Sequence, residues 1–176
     1  MAKPGSLTVG VAKSLNLEGH DVFYDHGDPA NPNVGKIVSS IENAPAMGEE
    51  LSQLDIAIIE RATKSALALI EIEETADNPK TFLGDLFGIL MGNSISFDDN
   101  SSNWKIGNWT TLIILGKGKN HERRVDYIRA MALKAKSALE TENSKIGHIV
   151  IGTFSEIESL KTMVREQIEI ARQGNI

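Results

Sequence analysis

Residues 54–75 read LDIAIIERATKSALALIEIEET, and the fold turns on how they are read. "DIAIIE" and "ALALIEIE" are short apolar runs, the pattern of strands that face a core. The polar connection "RATKS" between them is five residues long, a length that suits a hairpin. Asp55 opens the first run, and Glu71, Glu73 and Glu74 end the second. Carboxylates are costly to bury unless something pairs with them.

Alternate residues of a strand face the same way, so Glu71 and Glu73 project from one face, their Cβ atoms ~6.5–7 Å apart. Hairpin pairing sets the start of the first strand beside the end of the second, which brings Asp55 to both glutamates. Three carboxylates at one sheet edge repel, and at least one stays protonated without a counter-charge. A hard divalent cation removes the conflict. Mg²⁺ commonly takes one or two carboxylates, with water and substrate phosphate completing its shell. It would then activate water against a phosphodiester.

Working outward, residues 6–18 have helical spacing of Leu7, Val11 and Leu15, with Gly19 as C-cap. "DVFYD" at 21–25 predicts a first strand, and "DPANPN" a turn-rich break. "VGKIVSSIENA" at 34–44 is expected to form a short helix before Pro45. After the hairpin, "NPKTFLGDLFGILMGN" predicts a helix with Asn78 as N-cap and Pro79 in the first turn. "SISFDDNSSNWKIGNW" is expected to be irregular, and "TTLIILGKG" a buried strand. A helix over 120–140, a strand "GHIVIGTF" and a last helix capped by Ser155 complete the chain. The order predicts an α/β fold, a mixed sheet with helices on both faces.

With 176 residues, 41% of them hydrophobic and 24% charged, the chain suits one soluble globular domain spanning 1–176. No apolar run approaches the ~20 residues of a membrane span, and "MAKPGSLTVGVAKSLN" reads as mature sequence rather than a signal peptide. The lack of cysteine excludes a disulfide framework or a thiolate metal site and suits a cytoplasmic location. The net charge is −6, yet residues 117–136 carry seven basic against two acidic groups, a local +5 inside an acidic remainder of −11. Such a region is compatible with a phosphate-facing surface and equally with a lysine-rich solvated helix.

The acid at the first strand, acid-x-acid on the next and a following helix resemble the PD-(D/E)xK nuclease superfamily. Residues 6–116 follow a similar order of helix, three strands, helix and strand. Asp55 matches the first acid and Glu71 the second. Glu73 stands where the family usually has lysine, as it does in restriction endonucleases of the superfamily with Glu-x-Glu. Leu54 replaces the usual proline. The resemblance implies a restriction-endonuclease-like fold and a Mg²⁺- or Mn²⁺-dependent endonuclease. Such a hydrolase cuts phosphodiester bonds of nucleic acid, with DNA the favoured substrate. It implies metal at Asp55, Glu71 and Glu73, with Glu73 a ligand or water-activating base. Lys80, in the first turn of the next helix, could replace the missing lysine. Nucleic acid would approach through Lys117, Lys119, Arg123 and Arg124, and a homodimer is expected by analogy. The alternative is a non-catalytic binding or regulatory module of the same fold.

His20, His26, His121 and His148 show no ligand spacing and are read as non-ligands. "GKGKN" at 116–120 lacks the full phosphate-loop pattern. Trp104 and Trp109 could stack bases but suit anchoring of their loop on the core.

Overall fold

The computed structural model describes residues 5–41, 50–73, 79–98, 103–117, 122–139 and 146–174. In chain order, its first half holds α1 (Ser6–Ala12), β1 (His20–Tyr24), β2 (Ile37–Ser40), β3 (Glu50–Leu54), β4 (Ile56–Glu60) and β5 (Ser65–Glu73). There follow α2 (Pro79–Met91), β6 (Ser94–Phe97), β7 (Trp104–Lys105), β8 (Thr111–Lys117), α3 (Glu122–Leu139), β9 (His148–Phe154) and α4 (Ile157–Gly174).

The hairpin forms as its sequence requires. β4 and β5 pair antiparallel, with Ile56 opposite Ile70 and Glu60 opposite Ser65, and Lys64 takes a positive φ of 56° in the turn. β1 adds to the outer side of β4, antiparallel. On the other side β8 runs parallel to β5, and β9 parallel to β8. The sheet is mixed, and its central strands are buried on both faces. Leu69 of β5, Ala57 and Ile59 of β4, and Leu112 and Ile114 of β8 pack with Leu86, Ile89 and Leu90 of α2 and Ala132 of α3. Ile56, Ile58, Ile70 and Ile113 pack on the opposite side with Val11 of α1 and Leu160, Val164 and Ile168 of α4. Burial on both faces explains why these strands read as near-continuous apolar runs.

Four more strands depart from expectation. Residues 34–44 do not form a helix where they are described: Ile37–Ser40 is β2, held antiparallel between β3 and β6. The β-branched Ile37 and Val38 suit that place. The stretch expected to be irregular contributes β6 and β7, which pair with each other, and a single bridge from Lys105 to Ser65 joins them to β5. β3 passes directly into β4 through a bend at Asp55. Phe23 of β1, Phe97 of β6 and Trp104 of β7 cluster, with Phe23 and Trp104 ring centroids 4.4 Å apart. Trp104 is thus a core anchor, while Trp109 is 38% exposed.

α1 is shorter than expected. The N–H and hydroxyl of Ser14 both donate to the Val11 carbonyl, at 2.9 and 2.7 Å, which tightens and closes the helix. Gly19, with φ 79°, serves the turn into β1 instead of capping that helix. Asn78 lies outside the described residues, and α4 begins at Ile157.

Two glycines of α2 test its packing against β3. A Cβ on Gly88 would lie 2.5 Å from the Leu51 carbonyl oxygen, whereas one on Gly84 would meet nothing within 4 Å among the described residues. Helix propensity favours alanine by ~1 kcal/mol, but overpacking costs ~1–3 kcal/mol, and a main-chain oxygen in a paired strand cannot swing aside. Gly88→Ala is therefore expected to lower, and Gly84→Ala to raise, the free energy of unfolding in urea. Shifts of the same sign would contradict this packing.

Candidate metal centre

Asp55 occupies the bend between β3 and β4, one residue before the last ladder pair with β5. Its carboxylate replaces main-chain pairing there. Oδ2 accepts the Ile72 N–H at 2.6 Å, and Oδ1 accepts the Thr8 hydroxyl of α1 at 3.3 Å. The Asp55 main chain in turn opposes the upward push on the Glu71 carboxyl. The hairpin register thus brings Asp55 and Glu71 together, as its sequence predicts.

Glu71 continues the row of Leu69 toward the α2–α3 face, and its Oε2 is buried with no hydrogen-bond partner among the described residues. Burial pushes the Glu71 carboxyl well above the usual carboxylate range, and the charges of Asp55 and Asp85 push it further. Asp55 is pushed up to about 7, first by burial and then by the charge of Asp25, against the pull of the Ile72 and Thr8 hydrogen bonds. Without a cation, both carboxyls keep their protons to higher pH than exposed acids do.

β1 delivers a further pair to this place. The Asp25 N–H donates to the Asp55 carbonyl at 3.0 Å, which fixes the end of β1 against the bend. The Asp25 carboxylate contacts His26 Nδ1 at 2.5 Å and accepts the Gln53 amide of β3 at 3.4 Å. Burial raises Asp25, with His26 opposing. His26 fits only because Gly5 carries no side chain: a Cβ there would lie 2.2 Å from the imidazole, and Gly5 has a φ of 73°. One ligand atom from each of Asp25, His26 and Asp55 lies within 4.8 Å of the others.

The donor group differs from the expected one. Asp55 belongs to both, Glu71 adjoins through Asp55, and Asp25 and His26 were not anticipated. Reading His26 as a non-ligand relied on sequence spacing, and the geometry makes it a candidate. Glu73 is half-buried one strand repeat beyond Glu71, and its charge acts on Asp85, which is raised chiefly by burial and hydrogen-bonded by Ser52 at 3.2 Å. Lys80 lies in the first turn of α2, its side chain outside the described residues. Lys117 is exposed at the end of β8, one residue past the Gly116–Glu73 pair. Lys119 lies outside the described residues, as do the side chains of Arg123 and Arg124 at the start of α3. The signal that could have exposed Asp25 was present in the sequence, since "DVFYD" also ends a strand on a carboxylate.

Comparison with models of protein families, with curated proteins and with solved structures found no match. No helix among the described residues is long and apolar enough to cross a membrane.

The raised acids predict how stability follows pH. The folded state binds more protons than the unfolded chain between the unfolded aspartate value of ~3.9 and the folded Asp55 value of about 7. Stability contributed by protonated Asp55 is complete below that window and is lost as pH rises through it. In metal-free buffer, the free energy of unfolding should fall as pH rises across this window, by up to ~1.4 kcal/mol per pH unit for one fully titrating group, and the unfolding temperature with it. Asp55→Asn should flatten the dependence. Equal slopes in the native protein and the variant would assign the protons elsewhere.

Proposed function

We propose that the chain is a metal-dependent nuclease on a restriction-endonuclease-like fold, hydrolysing phosphodiester bonds of nucleic acid, with DNA the favoured substrate. The observation that carries this reading is the buried Oε2 of Glu71, without a hydrogen-bond partner among the described residues, beside Asp55. An unsatisfied buried acceptor costs ~1–3 kcal/mol, and more when charged, and a cation would offset that cost. The element order supports the same reading: α1, antiparallel β1, β4 and β5, then α2 and parallel β8, with β2 and β3 inserted after β1.

Asp25, His26 and Asp55 bring donor atoms within 4.8 Å of one another and would hold a divalent cation; Glu71 lies outside that group and would join it by turning its side chain. When bound, such an ion supplies Lewis-acid activation of water and charge stabilisation at phosphorus. The chain's own part is positioning. The Ile72 N–H and Thr8 hydroxyl orient Asp55, and Gln53 orients Asp25. Glu73 would serve as a further ligand or as the base that takes a proton from water, with Lys80 at the start of α2 as an accessory cation. An imidazole nitrogen among carboxylates favours Mn²⁺ over Mg²⁺, which takes oxygen donors. Lys117 opens the basic region at the sheet end that carries Glu73, so phosphates would approach through Lys117, Lys119, Arg123 and Arg124.

A non-catalytic relative of the same fold is the second reading. It is favoured by Glu73 in the lysine position, and by Asp55 taking its hydrogen bonds, among the described residues, from a main-chain N–H and a hydroxyl.

Calorimetric titration of Mn²⁺ should show binding that Asp55→Ala weakens at least tenfold. His26→Ala should cost more affinity for Mn²⁺ than for Mg²⁺. Equal Mn²⁺ affinity in the native protein and Asp55→Ala would remove the centre. Single-turnover cleavage with either metal should be abolished by Glu73→Gln, with thermal unfolding measured alongside to exclude misfolding. A native protein that binds Mn²⁺ but cuts neither single- nor double-stranded substrates would establish the non-catalytic reading.

Phosphate contacts release counterions, so nucleic-acid affinity should fall steeply with salt. Replacing Arg123 and Arg124 together by alanine should reduce the logarithmic salt slope by about 0.9 per lost contact. An unchanged slope would place the contact on another surface.

A further inference from the structure

The opposite end of the hairpin holds a pocket of about 510 Å³. Glu60 and Ser65, which face each other across the last ladder pair, line it. Asp55 lies five residues back along the chain from Glu60, ~17 Å at the strand rise, so the pocket is separate from the acidic centre. Its volume falls in the range of small-ligand sites, ~300–1,000 Å³.

The lining combines three kinds of chemistry. Trp109 supplies an aromatic surface that is 38% exposed. Its ring lies against Gly107, where a Cβ would come within 2.4 Å of it, so the glycine sets the ring's position. Arg172, near the end of α4, supplies a guanidinium, held at 3.2 Å by Glu169 in an exposed pair. Such surface pairs are worth ~0–1 kcal/mol, so a phosphate can compete for the arginine and engage it bidentately. Glu60 supplies a fixed acceptor: the Thr63 hydroxyl donates to its Oε2 at 2.5 Å, which leaves Oε1 for a ligand N–H. His20 Nδ1 donates to the Glu18 carbonyl at 2.9 Å, since a carbonyl only accepts. Leu67 forms the apolar wall.

We propose that this pocket is a second binding site, for a nucleoside monophosphate whose base stacks on Trp109 and whose phosphate meets Arg172. Glu60 Oε1 accepts an N–H at the edge of the base, which guanine supplies. Trp109, Arg172 and Glu60 together select against free phosphate and against uncharged aromatics, since each of those satisfies only part of the set. The site does not depend on any chemistry at Asp55.

The test is calorimetric titration of GMP into the full chain, with inorganic phosphate and guanosine as partial probes. GMP should bind more tightly than either partial probe. Trp109→Ala and Arg172→Ala should each weaken it about tenfold, the scale of one stacking contact. Gly107→Ala keeps every lining side chain and displaces only the ring, so it should weaken GMP with little effect on phosphate. Asp55→Ala should leave GMP binding unchanged. Absence of GMP binding by a native protein that unfolds cooperatively would overturn the proposal. So would binding insensitive to Arg172→Ala, or binding lost in Asp55→Ala, which would put the nucleotide in the acidic centre. Fluorescence gives an independent reading, because Trp104 is buried and Trp109 is not. GMP should quench the exposed tryptophan, and quenching that persists in Trp109→Phe would count against the site.

Discussion

The hydrogen bond from the Ile72 N–H to the Asp55 carboxylate, 2.6 Å long, closes the hairpin ladder where β4 gives way to the bend. A main-chain carbonyl would ordinarily take that position. Using a carboxylate there places a charge inside the sheet end, and the same exchange draws Glu71 to the Asp55 main chain. Hydrogen bonds to a carboxylate are worth ~1.5–3 kcal/mol each, too little to offset burial of two like charges in one place. The protein is left with an electrostatic demand that protonation or a cation can satisfy. The arrangement of the neighbouring elements serves to sustain that demand.

β3 and β4 are one run of chain bent at Asp55, so the residues before the bend also face the acids. Ser52 donates to Asp85 and Gln53 to Asp25, both from β3. The accessory strands hold β3 in place: β2 pairs with it, β6 pairs with β2, and the Phe23–Phe97–Trp104 cluster joins β6 and β7 to β1. Gly88 lets α2 approach the Leu51 carbonyl closely, which holds β3 from above. A defect in this accessory part of the sheet would therefore reach the acids through the bend.

The main sheet was legible because its strands are buried on both faces. "IAII", "ALALI" and "TLIIL" carry their assignment in composition alone, and the α/β class followed from their alternation with helices. The hairpin pairing followed from the short turn, but its register did not: a bulge between Ile58 and Ile59, which face Ala68 and Ala66, shifts β5 by one residue and brings Asp55 to Glu71. The accessory strands were not legible. β6 is four residues long and β7 two, and β2 finds its partners 57 residues away in β6 and at β3, across residues 42–49 that lie outside the described set. Such strands are fixed by what they pack against, so local periodicity is silent about them. His26 was missed for a related reason. It reaches the acids through the Asp25–Asp55 main-chain hydrogen bond and the room left by Gly5, neither of which appears as ligand spacing in the sequence.

Charge decides how such a centre could meet an anionic substrate. The chain carries −6 overall, and Asp25, Asp55, Glu71, Glu73 and Asp85 concentrate negative potential around one end of the hairpin. A polyanion would be repelled from that end if all five were ionised. Burial raises Asp25, Asp55, Glu71 and Asp85, so the metal-free protein carries fewer than five charges there, and a bound cation would neutralise more. Lys117 then adds positive charge beside the same strand end, one residue beyond the partner of Glu73. On the proposed nuclease reading, substrate approach and metal occupancy would be linked through one electrostatic balance: a bound cation would make the site receptive to phosphate, and phosphate, by adding ligands, would strengthen occupancy.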